Sequence, residues 1–178
     1  MKRKTFRIWR RLLFGVTACC VIFVFSSSMY ADYNSIGTPK PGIFYYTPTY
    51  NDTWNAPLNK ARYEWNNPFC GVTVGSTTET TGNKLTAQSL PESWYGLTTM
   101  TSGSTFKFTI VINARTIARD ATHFSNFVRS VTVHELGHIF WLKDNPNTKR
   151  SSIMFYSRNR NTMICEQNYD SECVDAKF

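Results

Sequence analysis

Two histidines four residues apart, His134 and His138, enclose a glutamate, Glu135. Residues four apart on an α-helix share a face, with Cβ atoms about 5–6 Å apart, so both imidazoles can hold one metal ion. Glu135 stands beside the first imidazole, where its carboxylate can reach a metal-bound water without being a ligand. Zn2+ lowers the pKa of such a water towards about 7, and the carboxylate takes its proton. The alternative is a buried helix that carries two histidines by chance. The residues that follow weigh against it.

The motif needs a helix beneath it. Phe124, Phe127, Val128, Val131, Leu136, Ile139 and Phe140 recur close to helical spacing, and Asp120 or Thr122 is placed to cap the start. Catalytic zinc usually takes three protein ligands and keeps one position for water. The chain has three histidines, and the spare one is His123. Eleven residues of continuous helix put it about 16 Å from His134. His123 is therefore expected as a surface or capping residue. Asp144, six residues past His138, is the best-placed third ligand if the helix ends near Trp141 and the chain turns back. Asn145-Pro146-Asn147 supports a chain that has left the helix.

Ser152-Ile153-Met154-Phe155-Tyr156 follows ten residues on. With it, the chain resembles the metzincins, zinc endopeptidases whose motif is His-Glu-x-x-His-x-x-Gly-x-x-His with a later Met-turn. Met154 matches the Met-turn position, and Tyr156 matches the tyrosine two residues later in astacins and serralysins. Matrixins are similar upstream, with an Ala-x-x-x-Trp helix (Ala61 to Trp65) and a strand ending in Ile112-Asn113. Asp144 as third ligand resembles snapalysin, a small secreted bacterial member. The resemblance covers roughly residues 43–160. It implies one catalytic Zn2+ held by His134, His138 and Asp144, with Glu135 as general base and Tyr156 as a catalytic hydrogen-bond donor. Structural Ca2+ is left open.

Two departures bear on the site. Trp141 replaces the glycine that lets the helix reverse, and a non-glycine residue in the left-handed conformation costs about 1–2 kcal/mol. Asp144 replaces histidine, and an anionic ligand makes the bound water less acidic. Pro68-Phe69-Cys70-Gly71-Val72 echoes the cysteine switch of matrixin propeptides, but lacks its arginine and closing Pro-Asp and lies inside the expected catalytic domain.

The formal charge of +8 is unevenly placed. Six of the 20 Lys and Arg lie within residues 2–11, and all 12 acidic residues lie after Tyr30, so the rest of the chain carries 14 minus 12, or +2. The basic balance marks a targeting segment rather than a nucleic-acid surface. A basic start, an apolar run over residues 12–25 and a small-residue stretch ending at Ala31 read as a secretory signal, with a cut after Ala31 or Ser28. An uncleaved membrane anchor is the alternative, although a span needs about 20 apolar residues. Cys70, Cys165 and Cys173 remain after the signal. In an oxidising compartment one pair is expected with one thiol over, and Cys165 with Cys173 would close a short loop.

Residues 32–42 read as a flexible start, 43–46 as a strand, 58–65 as a helix, 72–74 as a strand and 75–91 as loop or ragged hairpin. Residues 94–100 and 106–112 read as strands, and the tail after Arg158 as unassigned. The expected fold class is α+β: a metzincin-like catalytic domain (residues 43–178) with a twisted mixed β-sheet, the motif helix and a second helix. The expected function is a secreted monomeric zinc metalloendopeptidase whose partner is an extended protein or peptide substrate. That substrate would pair with the edge strand over residues 94–100. Neither nucleic acid nor membrane is a partner, except a membrane through an uncleaved signal. The alternatives are an inactive secreted binding module on the same fold, against which the intact Glu135 argues, and another zinc clan with Glu166 or Glu172 as ligand.

Overall fold

The computed structural model describes residues 32–178 apart from 49, 80, 81 and 103; the signal-like segment lies outside the described residues. Five strands are present in the order β1 (Gly42–Tyr46), β2 (Thr73–Thr77), β3 (Lys84–Gln88), β4 (Gly96–Thr101) and β5 (Lys107–Asn113). They form one mixed sheet in the spatial order β2-β1-β3-β5-β4. β1 runs parallel to β2 and β3, β3 parallel to β5, and β4 antiparallel to β5 at the edge. Period-two patterning explains the buried face: Phe108, Ile110 and Ile112 alternate inward along β5, as Ile43 and Tyr45 do along β1. Between β1 and β2 the chain forms α1 (Asp52–Trp65); after β5 come α2 (Ala114–Asp120), α3 (Phe124–Ile139) and α4 (Asn168–Asp175). The class is mixed α/β, compatible with the expected α+β.

α1 and α3 pack against each other and against the sheet. Ala61 and Trp65 are fully buried, and the Trp65 indole donates to the Val133 carbonyl at 2.9 Å. A buried indole N–H needs such a partner, so this bond fixes the rotation of α3 relative to α1. Gly137 on α3 leaves room for the Met154 side chain; a Cβ there would stand 2.7 Å from its sulfur.

Several elements differ from the sequence expectation. β3, parallel to its neighbours, occupies part of the stretch expected as loop or ragged hairpin; Lys84, Ala87 and Gln88 carry little strand propensity, and the strand exists through its register with β5. α1 starts six residues before residue 58, despite Pro57. Trp54, in its first turn, stacks edge-on against Phe124 at 4.9 Å. α2 carries almost no apolar face. It forms because the buried Asn113 side chain accepts from the Arg115 N–H and so caps it. α4 arises in the unassigned polar tail, where the Asp170 carboxylate accepts from the Gln167 N–H at 2.9 Å. Neither Asp120 nor Thr122 caps α3; the N-cap position belongs to His123, whose side chain makes no capping bond. Cys70, Cys165 and Cys173 are all free, so Cys165 and Cys173 close no loop; Cys70 is buried against the Ser171 hydroxyl.

Residues 32–42, expected as a flexible start, are instead seated along the end of α3. The Tyr33 backbone bridges Leu142, the Asn34 N–H donates to the Trp141 carbonyl at 2.7 Å, and the Thr38 N–H donates to Ile139 at 2.8 Å. Their low apolar content hides this, because the attachment is through hydrogen bonds of backbone groups and of the Asp32, Tyr33 and Asn34 side chains.

Glu166 sits half-buried beside Cys70, with its Oε2 lacking any hydrogen-bond partner. Burial, reinforced by Glu64 and Asp170, raises its carboxyl from 4.5 to about 7. The folded state therefore favours the protonated form. That contribution is fully present below about pH 4.5 and is lost as pH rises through about 7. Glu166→Gln removes the charge and keeps the shape. Urea unfolding should show the variant more stable than the parent at pH 8, with the difference gone at pH 4.5. Equal midpoints at pH 8 would show that the buried carboxylate carries no penalty.

Candidate metal centre

The geometry of the site starts where α3 ends. The Trp141 N–H returns to the His138 carbonyl and the Leu142 N–H to the Gly137 carbonyl, at 3.1 and 3.0 Å. This is a Schellman closure, which requires a left-handed residue at Trp141. Trp141 adopts it, with φ 74°. The strain expected from the missing glycine is accepted and held in place from several sides. The Trp141 indole donates to the Thr38 carbonyl at 2.8 Å, Gly37 lies flat against its ring, and the Lys177 ammonium sits 4.1 Å from the ring centroid. The Lys143 N–H then donates to the Asp32 carbonyl, and the Asp32 carboxylate accepts from the Asn147 N–H.

That reversal carries Asp144 back over the helix. Its Oδ1 lies 3.0 Å from His134 Nε2 and 3.5 Å from His138 Nε2. One ligand atom from each of the three residues falls within 4.8 Å of the others, and no other such group of three exists among the described residues. Each imidazole is oriented from behind: His134 Nδ1 is 3.0 Å from the Ile153 carbonyl, and His138 Nδ1 is 2.9 Å from the Leu142 carbonyl. A carbonyl only accepts, so Nδ1 carries the proton and the Nε2 lone pair faces Asp144. Asp144 Oδ1 is then a buried atom without a hydrogen-bond partner. Three acceptors converge on one point, an arrangement that a cation resolves.

With no cation at that point the alternative is a shared proton, an imidazole Nε2–H donating to the Asp144 carboxylate. Burial holds the His134 imidazole below its ordinary pKa. For His138 burial acts in the same direction but is outweighed by Asp144 and Glu135, and its pKa is raised. Burial alone would raise the Asp144 carboxyl, yet the two imidazoles beside it hold it well below the carboxylate range. The donor set of two imidazoles and one carboxylate suits zinc.

Met154 is buried beneath Gly137, and the 152–156 turn around it supplies the carbonyl behind His134. Asp170 anchors that turn: Ser152 Oγ donates to its carboxylate at 2.5 Å and the Ile153 N–H at 2.8 Å. Tyr156 is 55% exposed, its ring 6.2 Å from that of His134. Burial and then Asp144 raise its phenol to about 12, so it is a donor at neutral pH. Glu135 is 5% exposed under β4 and accepts from the Thr98 hydroxyl at 2.8 Å. Gly96 makes that approach possible, since a Cβ there would stand 2.5 Å from Glu135 Oε1.

All five predicted site residues line one cavity of about 630 Å³, within the range of ligand sites. β4 forms one wall. Asn34, Gly96, Thr98, Arg158 and Arg160 also line it. Gly96 and Thr98 lie in the edge strand expected to pair with substrate; Asn34, Arg158 and Arg160 were not legible beforehand, because nothing in their spacing connects them to the motif. His123 is exposed and outside the group, Glu166 contacts Asn67 and Cys70, and Glu172 pairs with Arg150. Cys70 of the switch-like stretch is not among the converging atoms.

No family model and no curated protein matches the chain. Among solved structures it is similar to one described as the GM1-bound form of the ECX AB5 holotoxin. The TM-score is 0.59 at 14% identity, over 83% of this chain and 86% of that chain. At that identity the likeness concerns the fold alone.

His134→Ala, His138→Ala and Asp144→Ala should each weaken Zn2+ binding by more than about 100-fold, beyond the cost of losing an outer partner. His123→Ala should leave it unchanged. Competition against a chelating dye measures both. Loss of zinc in His123→Ala with retention in Asp144→Ala would overturn the ligand set.

Proposed function

We propose that this protein is a secreted zinc-dependent metalloendopeptidase of metzincin type. The observation that carries the proposal is the convergence of His134 Nε2, His138 Nε2 and the unpartnered Asp144 Oδ1 beside a buried Glu135 at the wall of an open cavity. Zn2+ held by those three atoms would supply Lewis acidity, polarising a peptide carbonyl and acidifying water.

The chain's own residues supply the rest. The Glu135 carboxylate, positioned by Thr98, takes the proton from the attacking water and passes it to the leaving amine. Glu135 and Tyr156 line the same cavity. Tyr156, protonated at neutral pH, donates to the oxygen that gains negative charge as the carbonyl is attacked. β4 is a sheet edge along the cavity, and an extended peptide can pair with it as an added strand. The indole of Trp141 and the 32–38 segment keep the reversal that presents Asp144.

Glu135→Ala should abolish hydrolysis of a casein-type substrate while zinc content stays near one per chain. Near-normal turnover would remove the mechanism. Tyr156→Phe should lower kcat with zinc content unchanged. A single donor of this kind is worth about 10²–10³ in rate, and a half-exposed one less. An unchanged kcat would leave Tyr156 as a packing residue.

A further inference from the structure

Beyond the metal ligands, the cavity wall carries two guanidinium groups. Arg158 is 8% exposed. Its Nε donates to Ser130 Oγ at 3.2 Å, Nη1 to the Phe155 carbonyl at 2.8 Å and Nη2 to the Ser130 carbonyl at 3.4 Å. All three acceptors are neutral. Arg160 lies over the Tyr95 ring, 4.8 Å from its centroid, and donates to the Tyr156 carbonyl; its buried Nε has no hydrogen-bond partner. Among the described residues neither guanidinium has a carboxylate within ion-pair distance.

Buried cations without a paired anion are costly. Glu135, Asp144 and Asp170 act on Arg158 only through space. Asp170 is occupied by Ser152, Ile153 and Gln167. Glu135 and Asp144 carry two negative charges, which a divalent cation held beside them would match. The two arginines then remain as uncompensated positive charge on the cavity wall. Arg presents a planar fork that fits a carboxylate with two parallel hydrogen bonds.

We propose that Arg158 and Arg160 form an anion subsite that selects substrates bearing an aspartate or glutamate side chain close to the scissile bond. The inference rests on the peptidase reading and adds to it a substrate class. Ser130 and the Phe155 carbonyl fix the Arg158 guanidinium before substrate arrives, and the Tyr95 face holds that of Arg160. Little ordering is left for binding to accomplish.

The test is a set of fluorescence-quenched peptides with Asp or Glu at each position flanking the scissile bond, paired with their Asn and Gln isosteres. At the selected position the acidic member should exceed its amide in kcat/KM by roughly 10- to 100-fold, the scale of a charge-assisted hydrogen bond. The ratio should shrink with added salt. Arg160→Met should bring it towards one, and Arg160→Glu should shift preference to a lysine-bearing peptide. Arg158→Gln is informative only if it folds, since Arg158 ties Ser130 to Phe155; the Arg160 variants keep the test decisive. Cleavage with equal rates for acidic and amide peptides would overturn the subsite and leave the peptidase reading intact. If no peptide is cleaved, the peptidase reading fails, and fluorescence anisotropy of the same peptides decides the subsite. Tighter binding of acidic members, lost in Arg160→Glu, supports it; equal binding overturns it.

Discussion

The site depends on one backbone conformation, the left-handed turn at Trp141. α3 presents two imidazoles, but a helix cannot present a third ligand at the same point from its own next turn. The chain has to stop and reverse. The Schellman closure at Trp141 and Leu142 does this within four residues of His138. A non-glycine residue pays about 1–2 kcal/mol for that conformation. The cost is offset by what only a large side chain can do there: donate to Thr38, cover Gly37 and receive the Lys177 ammonium. The N-terminal segment therefore supports the reversal that brings Asp144 to the two histidines, although none of its residues joins that group.

The motif residues and their helix were legible in the sequence because both depend on local spacing. The periodicity of Phe127, Val128, Val131 and Leu136 fixed the face of α3, and His134 and His138 followed from i, i+4 geometry. The convergence of Asp144 on the histidines could be expected because it is the best-placed acceptor past the end of the helix. What could not be read depends on contacts distant in sequence. β3 is a strand because β5 lies beside it, and its own composition says little. The role of residues 32–38 is carried largely by hydrogen bonds to backbone groups, which every sequence has. Gly96 looks like any strand glycine until Glu135 is seen 37 residues away beneath it.

Two glycines and two carboxylates show how closely the layers are matched. Gly137 admits Met154 under the helix, and the turn that Met154 anchors puts the Ile153 carbonyl behind His134. Gly96 admits Glu135 under β4. Asp170, fully buried, accepts from Ser152, Ile153 and Gln167 and so ties α4 to that same turn. Burial raises its carboxyl, and three donors act against that shift. A chain of hydrogen bonds therefore runs from a C-terminal helix to the His134 imidazole. Hydrophobic burial sets where the sheet and helices lie; these polar bonds set ring orientation, to which metal geometry is far more sensitive.

The arrangement also bears on whether the cavity belongs to a catalyst or to an inert binding surface. Glu135 is nearly buried with a single hydroxyl as its side-chain donor, Asp144 Oδ1 has no hydrogen-bond partner, and two arginines face the same space without a carboxylate partner. Each of these costs folding free energy, because a buried polar or charged group without its partner loses hydration it does not recover. An inert module gains nothing from carrying all of them in one place, and apolar replacements would make it more stable. Single unpartnered atoms also occur at Arg62, Arg129 and Glu166, but several local rules broken together around one cavity are expected where function sets the terms. A cation among the three acceptors and an anionic side chain against the arginines would satisfy all these groups at once. A ligand surface that recognises its partner by shape alone has no need of the first.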